Sequence, residues 1–283
     1  MPSRDMATLN PIPESAFYNP RDSRLDTKAY IDLINDAIES QKLITDENIV
    51  KRIEESPDRN EAIVAVMGGT RQKAWDYLAA IHVHYSAGGS LDDLRDFFPE
   101  VVSSWKVFAK YHVMFHGTPN AGTRKVPHLD LYDWDYWSAI RLTSLAILLG
   151  RASLLRSIAT LWDYENDDMD GLLERLVAPY LSHRGAPPGK CTRHLPYSKA
   201  LKIFDAPADE RVTLMSSYLD AWYKASRHEP YYESHTQGRI HNYLGYWSFE
   251  AAAISIVLDI DDAEFRDKPF YPADLADFGR RQN

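Results

Sequence analysis

The sequence predicts an all-α protein, a helical bundle in two packed halves with little or no β-structure. Apolar residues recur at three- and four-residue spacing along most of the chain. No run alternates with period two for long enough to make a strand. Hydrophobic residues are 45% of the 283 and aromatics 12%, enough to fill one large core or two smaller ones.

The elements follow in order. Residues 1–20 are rich in Pro, Asn and Ser and read as a loosely ordered lead-in. Tyr30, Leu33, Ile34, Ala37 and Ile38 share one face of a first helix. Thr45-Asp46-Glu47 starts a second, and Asn60 is placed to cap a third. Gly68-Gly69 either breaks that third helix or marks close packing. Its pattern resumes through Trp75, Leu78, Ala79, His82 and Tyr85 and stops at Gly88-Gly89. Ser90-Leu91-Asp92-Asp93 reads as a capping box with Asp in the distal place. Pro99 interrupts this helix or begins another. Val102, Trp105, Phe108, Ala109, His112 and Val113 then line a face that runs to Gly117.

Residues 117–128, GTPNAGTRKVPH, shift to Gly, Pro and Thr and place a boundary there. The expected N-terminal half is 21–120 and the C-terminal half 121–283. Asp133 caps a helix that is apolar nearly all round: Trp134, Trp137, Ile140, Leu142, Leu145 and Leu148. Such a helix is buried. Another runs over about 152–162, and Leu172, Leu173, Leu176 and Val177 carry the next. Arg184 to Pro196 is a basic loop. Residues 209–226 are amphipathic, with Val212, Met215, Leu219 and Trp222 on one face. A polar, His-rich stretch, 227–242, precedes an apolar terminal helix with one carboxylate, Glu250, inside it. An aromatic-Pro-Asp tail follows at Tyr271-Pro272-Ala273-Asp274.

Charge narrows the function classes. There are 41 acidic against 32 basic residues, a formal net charge of −9. That disfavours nucleic acid, which needs a basic stripe, and steers the chain toward a basic partner. A single cysteine, Cys191, leaves no disulfide framework or cysteine-based zinc site. No apolar run follows the N-terminus, and no stretch is long enough to span a bilayer, so the expected compartment is the cytoplasm, with no membrane.

Among chemical candidates, Asp163, Glu165, Asp167, Asp168 and Asp170 crowd one turn. Such carboxylates suit Mg²⁺ or Ca²⁺, a helix N-terminus, or a negative docking surface. The ten histidines show no metal-ligand spacing, and His82 and His84 point apart on a helix. Gly117 to Arg124 echoes a phosphate loop but has Thr where Lys is required. Cys191 near His194 has no third partner for nucleophilic chemistry. No catalytic residue, metal or cofactor is assigned. Glu250, among Phe249 and Ala251 to Ala253, needs a buried partner, and Arg141 is the expected one, making a structural ion pair.

Several stretches recur in a set order: Tyr85-Ser86-Ala87-Gly88-Gly89-Ser90-Leu91-Asp92-Asp93-Leu94, Leu142 to Leu149, and Tyr218-Leu219-Asp220-Ala221-Trp222-Tyr223. Gly245-Tyr246-Trp247-Ser248-Phe249-Glu250-Ala251-Ala252-Ala253 and Tyr271-Pro272-Ala273-Asp274-Leu275 complete the set. Together this resembles the PoNi-type immunity proteins over roughly residues 20–278. The resemblance implies an all-α protein that blocks a cognate toxin of a bacterial secretion system, type VI or related. The typical toxin is a DNase of the PD-(D/E)xK type. The resemblance carries no catalytic residues, and its motifs read as fold determinants, with Gly245, Trp247, Glu250 and Arg141 structural.

An acidic inhibitor can occlude the basic active site of a nuclease. The expected toxin-binding residues are Asp163, Tyr164, Glu165, Asp167, Asp168, Met169 and Asp170, with Asp259, Asp261 and Asp262. A metal-dependent helical enzyme using 163–170 and a helical adaptor are the competing readings. A homodimer is compatible with the chain.

Overall fold

Side chains at the helix starts decide where the first elements begin. In the computed structural model, Asp26, Thr45, Asp58 and Ser90 each turn an oxygen back onto a backbone N–H of the following turn. They open α1 (Thr27–Leu43), α2 (Asp46–Glu55), α3 (Arg59–Ser86) and α4 (Leu91–His116). The cap of α3 is Asp58; Asn60, the expected cap, is inside the first turn and donates its N–H to Asp58 at 2.8 Å.

The structure describes residues 7–13, 17, 20–236 and 243–282. Among them are eleven α-helices and short 3-10 turns, with no strand, so the protein is all-α. Of the expected lead-in, residues 1–6, 14–16 and 18–19 lie outside the described residues. The rest is anchored: Leu9 is buried, and the Ile12 N–H bonds the Tyr30 hydroxyl at 2.8 Å.

The chain divides into two compact units, residues 1–128 with 238–245, and 129–237 with 246–283. Side-chain chemistry accounts for the break at 128/129. Buried His128 sets its Nδ1 2.8 Å from that of His112, within the first unit. Leu129 and Leu131 are fastened in the second by Asn166, which donates to Leu129 O and accepts from Leu131 N–H. The later segment joins the first unit through Tyr243, whose hydroxyl bonds Asp22 at 2.5 Å, and Leu244, whose carbonyl accepts from Ser86.

In the first unit α3 and α4 pair along their length, and α1 and α2 pack on α3. Gly68-Gly69 does not break α3. A Cβ on Gly69 would lie 3.2 Å from Ile44 Cδ1, so the site is one of close packing. Nor does Pro99 interrupt α4. An interior proline costs about 3 kcal/mol. Burial of Phe97, Phe98, Val101, Val102 and Trp105 outweighs it, at about 1.5–3 kcal/mol per large apolar side chain.

The second unit is built on α5 (Asp135–Leu148), which is buried at nearly every position. Around it lie α6 (Leu155–Asp163), α7 (Gly171–Val177), α10 (Phe249–Val257) and α11 (Ala273–Gln282). α8 (Leu201–Asp205) and α9 (Ala208–Ala225) complete it. The aromatic-Pro-Asp tail thus leads into a helix, with Leu275, Ala276 and Phe278 buried. Trp134 is not part of the buried face: it stands at the N-terminus of α5 and is 64% exposed. Among the described residues no helix is long and apolar enough to cross a membrane.

Candidate functional site

The acidic turn between α6 and α7 is built on a single amide. The Asn166 Nδ2 donates to Trp162 O at 2.7 Å and to Leu129 O at 2.8 Å. This ties the end of α6 to the segment that leads into α5. Glu165, just before it, takes a left-handed backbone (φ 58°), which reverses the chain.

Its carboxylates have diverged in role. Asp163 takes a bidentate pair from Arg184 at 2.7 and 2.9 Å, and the same guanidinium reaches buried Glu174. These two carboxylates hold the Arg184 pKa well above its ordinary value. Asp168 accepts from the Tyr132 hydroxyl and lies 3.4 Å from Lys190 Nζ, and its pKa is lowered by those two partners. Asp170 is buried. It caps α7 by accepting from Leu172 and Leu173 N–H at 2.9 Å, and it also accepts from the Tyr136 hydroxyl and from both the N–H and the hydroxyl of Thr192. Its expected place on a docking surface is therefore corrected: a carboxylate serving five donors is a fold determinant. Tyr164 is half-buried, while Glu165, Asp167 and Met169 face solvent.

The sequence reading missed what stands beside this turn. Tyr132 is 53% exposed and joined to Asp168 through its hydroxyl; Trp134, two residues on, is 64% exposed. Asp133 between them is exposed as well. The signal was present in Asp130-Leu131-Tyr132-Asp133-Trp134, where two acids are interspersed with an apolar residue and two aromatics before the helix period begins. Exposed aromatics beside solvated carboxylates can anchor a protein partner while steering a basic one.

The second acidic segment is of a different kind. Asp262 is buried and accepts from Arg266, Arg280 and Tyr271 at 2.7–2.9 Å. These donors outweigh burial and lower its pKa. It locks the 259–262 turn to α11 and is withdrawn from any surface. Asp259 and Asp261 are exposed, the former at φ 50° and the latter capping the Ala263 N–H.

Glu250 is buried in α10. Its Oε1 accepts from Trp222 Nε1 at 2.6 Å, Ser248 Oγ at 2.7 Å and Tyr218 OH at 2.8 Å. Burial raises its pKa against these donors. Arg141 and Trp247 line the same small cavity. The Arg141 guanidinium stacks 3.7 Å from the Trp137 ring centroid, and burial lowers its pKa to about 9. The donors to Glu250 are thus hydroxyls and an indole, where an arginine was expected. Gly245 has φ 106°, a conformation open to glycine.

Burial raises the Cys191 pKa to about 12, far from a thiolate nucleophile. Burial also pushes His84 down to about 4 and His112 to about 3, keeping both neutral in the core. Among the described residues no group of three His, Cys, Asp or Glu is arranged to hold a metal ion. Of the His-rich stretch, residues 237–242 lie outside the described residues.

Two family models match the chain. That for the N-terminal part of the PoNe immunity proteins (PoNi) covers residues 21–159, and that for the C-terminal part covers 168–275. Among solved structures, the crystal structure of protein PA2201 from Pseudomonas aeruginosa is similar in fold. It has a TM-score of 0.74 and 18% sequence identity, over 93% of this chain and 91% of that one. No curated protein matches the chain.

Proposed function

The chain belongs to the family of PoNe immunity proteins, and from that premise we propose that it binds and neutralises one cognate secreted toxin, a DNase. It acts as a stoichiometric inhibitor in the cytoplasm of the cell it protects, against a toxin delivered by type VI or a related secretion system. It catalyses no reaction and makes no direct contact with nucleic acid.

The observation that carries the proposed contact surface is the exposed Tyr132–Trp134 pair beside the acidic turn. Trp134 and Tyr132 supply apolar anchors, and Met169 adds to them. Asp133, Glu165 and Asp167 supply negative charge against a site that must hold phosphates. Asp163 and Asp168 shape the surface through Arg184, Tyr132 and Lys190. Asp259 and Asp261 are a secondary surface.

The test is co-expression with the toxin encoded beside this gene. Wild type should restore growth. Trp134→Ala should weaken binding about tenfold or more, the scale of an aromatic hot spot, with an unchanged melting temperature. No rescue by wild type would end the immunity reading; full affinity in Trp134→Ala would move the interface elsewhere.

A further inference from the structure

Tyr132 is 53% exposed, yet its N–H, carbonyl and hydroxyl are all engaged. The N–H donates to Asp130 Oδ1 at 2.9 Å, the carbonyl accepts from Arg193 Nη1 at 3.3 Å, and the hydroxyl donates to Asp168. The residues on either side are tied as well. Leu131 N–H donates to Asn166 Oδ1 at 3.2 Å, and Trp134 N–H to Asp133 Oδ1 at 2.8 Å.

Of these fasteners Arg193 reaches farthest along the chain. Its Nε donates to buried Glu229 Oε1 at 2.8 Å and its Nη2 to the His228 carbonyl at 3.3 Å, while Nη1 serves Tyr132. A guanidinium holds its donors in a fixed planar fork, so pairing with Glu229 and His228 sets where Nη1 lies. Glu229 by itself asks only for a cation; an ammonium would satisfy the charge without bridging to Tyr132.

Stability alone gives little reason to fix an exposed ring. Ordering a side chain costs entropy, and polar contacts at the surface return little. Order at an exposed aromatic is useful to a partner, because association otherwise bears the cost of ordering the interface. We propose, on the reading of this surface as the toxin contact, that Arg193 is a positioning residue. Through the Tyr132 carbonyl it holds the Tyr132–Trp134 anchor in the geometry that the toxin meets, while Asp168 fixes the end of the Tyr132 ring.

The test uses the full chain carrying Arg193→Lys, which keeps a cation for Glu229 and removes the fork. Amide ¹⁵N relaxation of the free protein reads the anchor. Order parameters at Tyr132–Trp134 should fall from the rigid range, about 0.85, toward the flexible range, below about 0.6, with the core helices unchanged. Affinity for the toxin encoded beside this gene should fall about threefold to tenfold, the scale of ordering one side chain. In a double-mutant cycle, Arg193→Lys should weaken binding less once Trp134→Ala has removed the ring, a coupling that general destabilisation does not produce. Tyr132→Phe releases the exposed hydroxyl alone and should weaken binding in the same direction, which keeps the test open if Arg193→Lys does not fold. Unchanged order parameters, an additive cycle, or a loosened anchor with unchanged affinity while Trp134→Ala weakens binding would each overturn the role of Arg193. Full affinity in Trp134→Ala would remove the surface reading itself, and the positioning role with it.

Discussion

Three donors converge on one oxygen of Glu250: the Trp222 indole, the Ser248 hydroxyl and the Tyr218 hydroxyl. The burial that raises the carboxyl pKa also keeps water from replacing any donor that loses its acceptor. The residue's worth therefore depends on its acceptor oxygen more than on its charge. Glu250→Gln keeps an oxygen there and should change unfolding free energy by no more than about 1–2 kcal/mol. Glu250→Leu strands three buried donors at about 1–3 kcal/mol each, a loss on the order of 3 kcal/mol or more. Urea unfolding of the two variants checks this; equal losses would mean that charge, not hydrogen bonding, is what the site needs. The pH dependence adds a sign. A carboxyl whose folded pKa is raised binds more protons folded than unfolded above its ordinary value of 4.5. Its contribution is greatest at low pH and is lost as pH rises through the folded pKa. Glu250→Gln lacks that loss, so it should gain on wild type as pH rises through this window.

At the level of elements, α7 shows how a loop and a helix are fastened together. Asp170 caps the helix, and the Gly171 N–H bonds Lys190 O at 2.8 Å. A Cβ on Gly171 would lie 2.5 Å from Lys190 O and 2.6 Å from Pro188 O, both backbone atoms. Gly171→Ala must push the 188–190 backbone away, at about 1–3 kcal/mol. Its melting temperature should fall by several degrees and the 184–193 loop should be cut faster by protease; a variant as stable as wild type would show the loop can yield freely. This fastening also marks the limit of what could be read from sequence. Helix caps at Thr45 and Ser90 were legible because a cap acts within three residues of itself. The course of α4 through Pro99 was not, because the apolar face that offsets the proline is buried by packing against α3, far away in sequence. The acidic turn was legible as a cluster, yet not which members were spent. Arg184 for Asp163, Thr192 for Asp170 and Arg280 for Asp262 arrive from 18 to 22 residues away. Trp134 was misread because a residue at a helix start shares the helical period without sharing its buried face.

For the whole molecule, 41 acidic against 32 basic residues bias every encounter with a basic partner, but long-range charge and short-range packing act on different rates. Reversing charge to test this must spare the carboxylates that hold the fold: Asp170 and Asp262 are buried and Asp168 is tied to Tyr132. Glu165 and Asp167 both face solvent on the acidic turn. If this turn steers the toxin, Glu165→Lys with Asp167→Lys should slow association about tenfold at low salt and leave dissociation nearly unchanged. The difference should shrink as salt rises, because the screening length falls from about 30 Å at 0.01 M to about 3 Å at 1 M. Trp134→Ala should do the reverse, speeding dissociation with little salt dependence, because a packed aromatic acts only after contact. Stopped-flow or surface-resonance kinetics at several salt concentrations separate the two. A charge-reversed protein with wild-type association at every salt concentration would place the acidic turn outside the encounter surface, even if Trp134 lies within the bound interface.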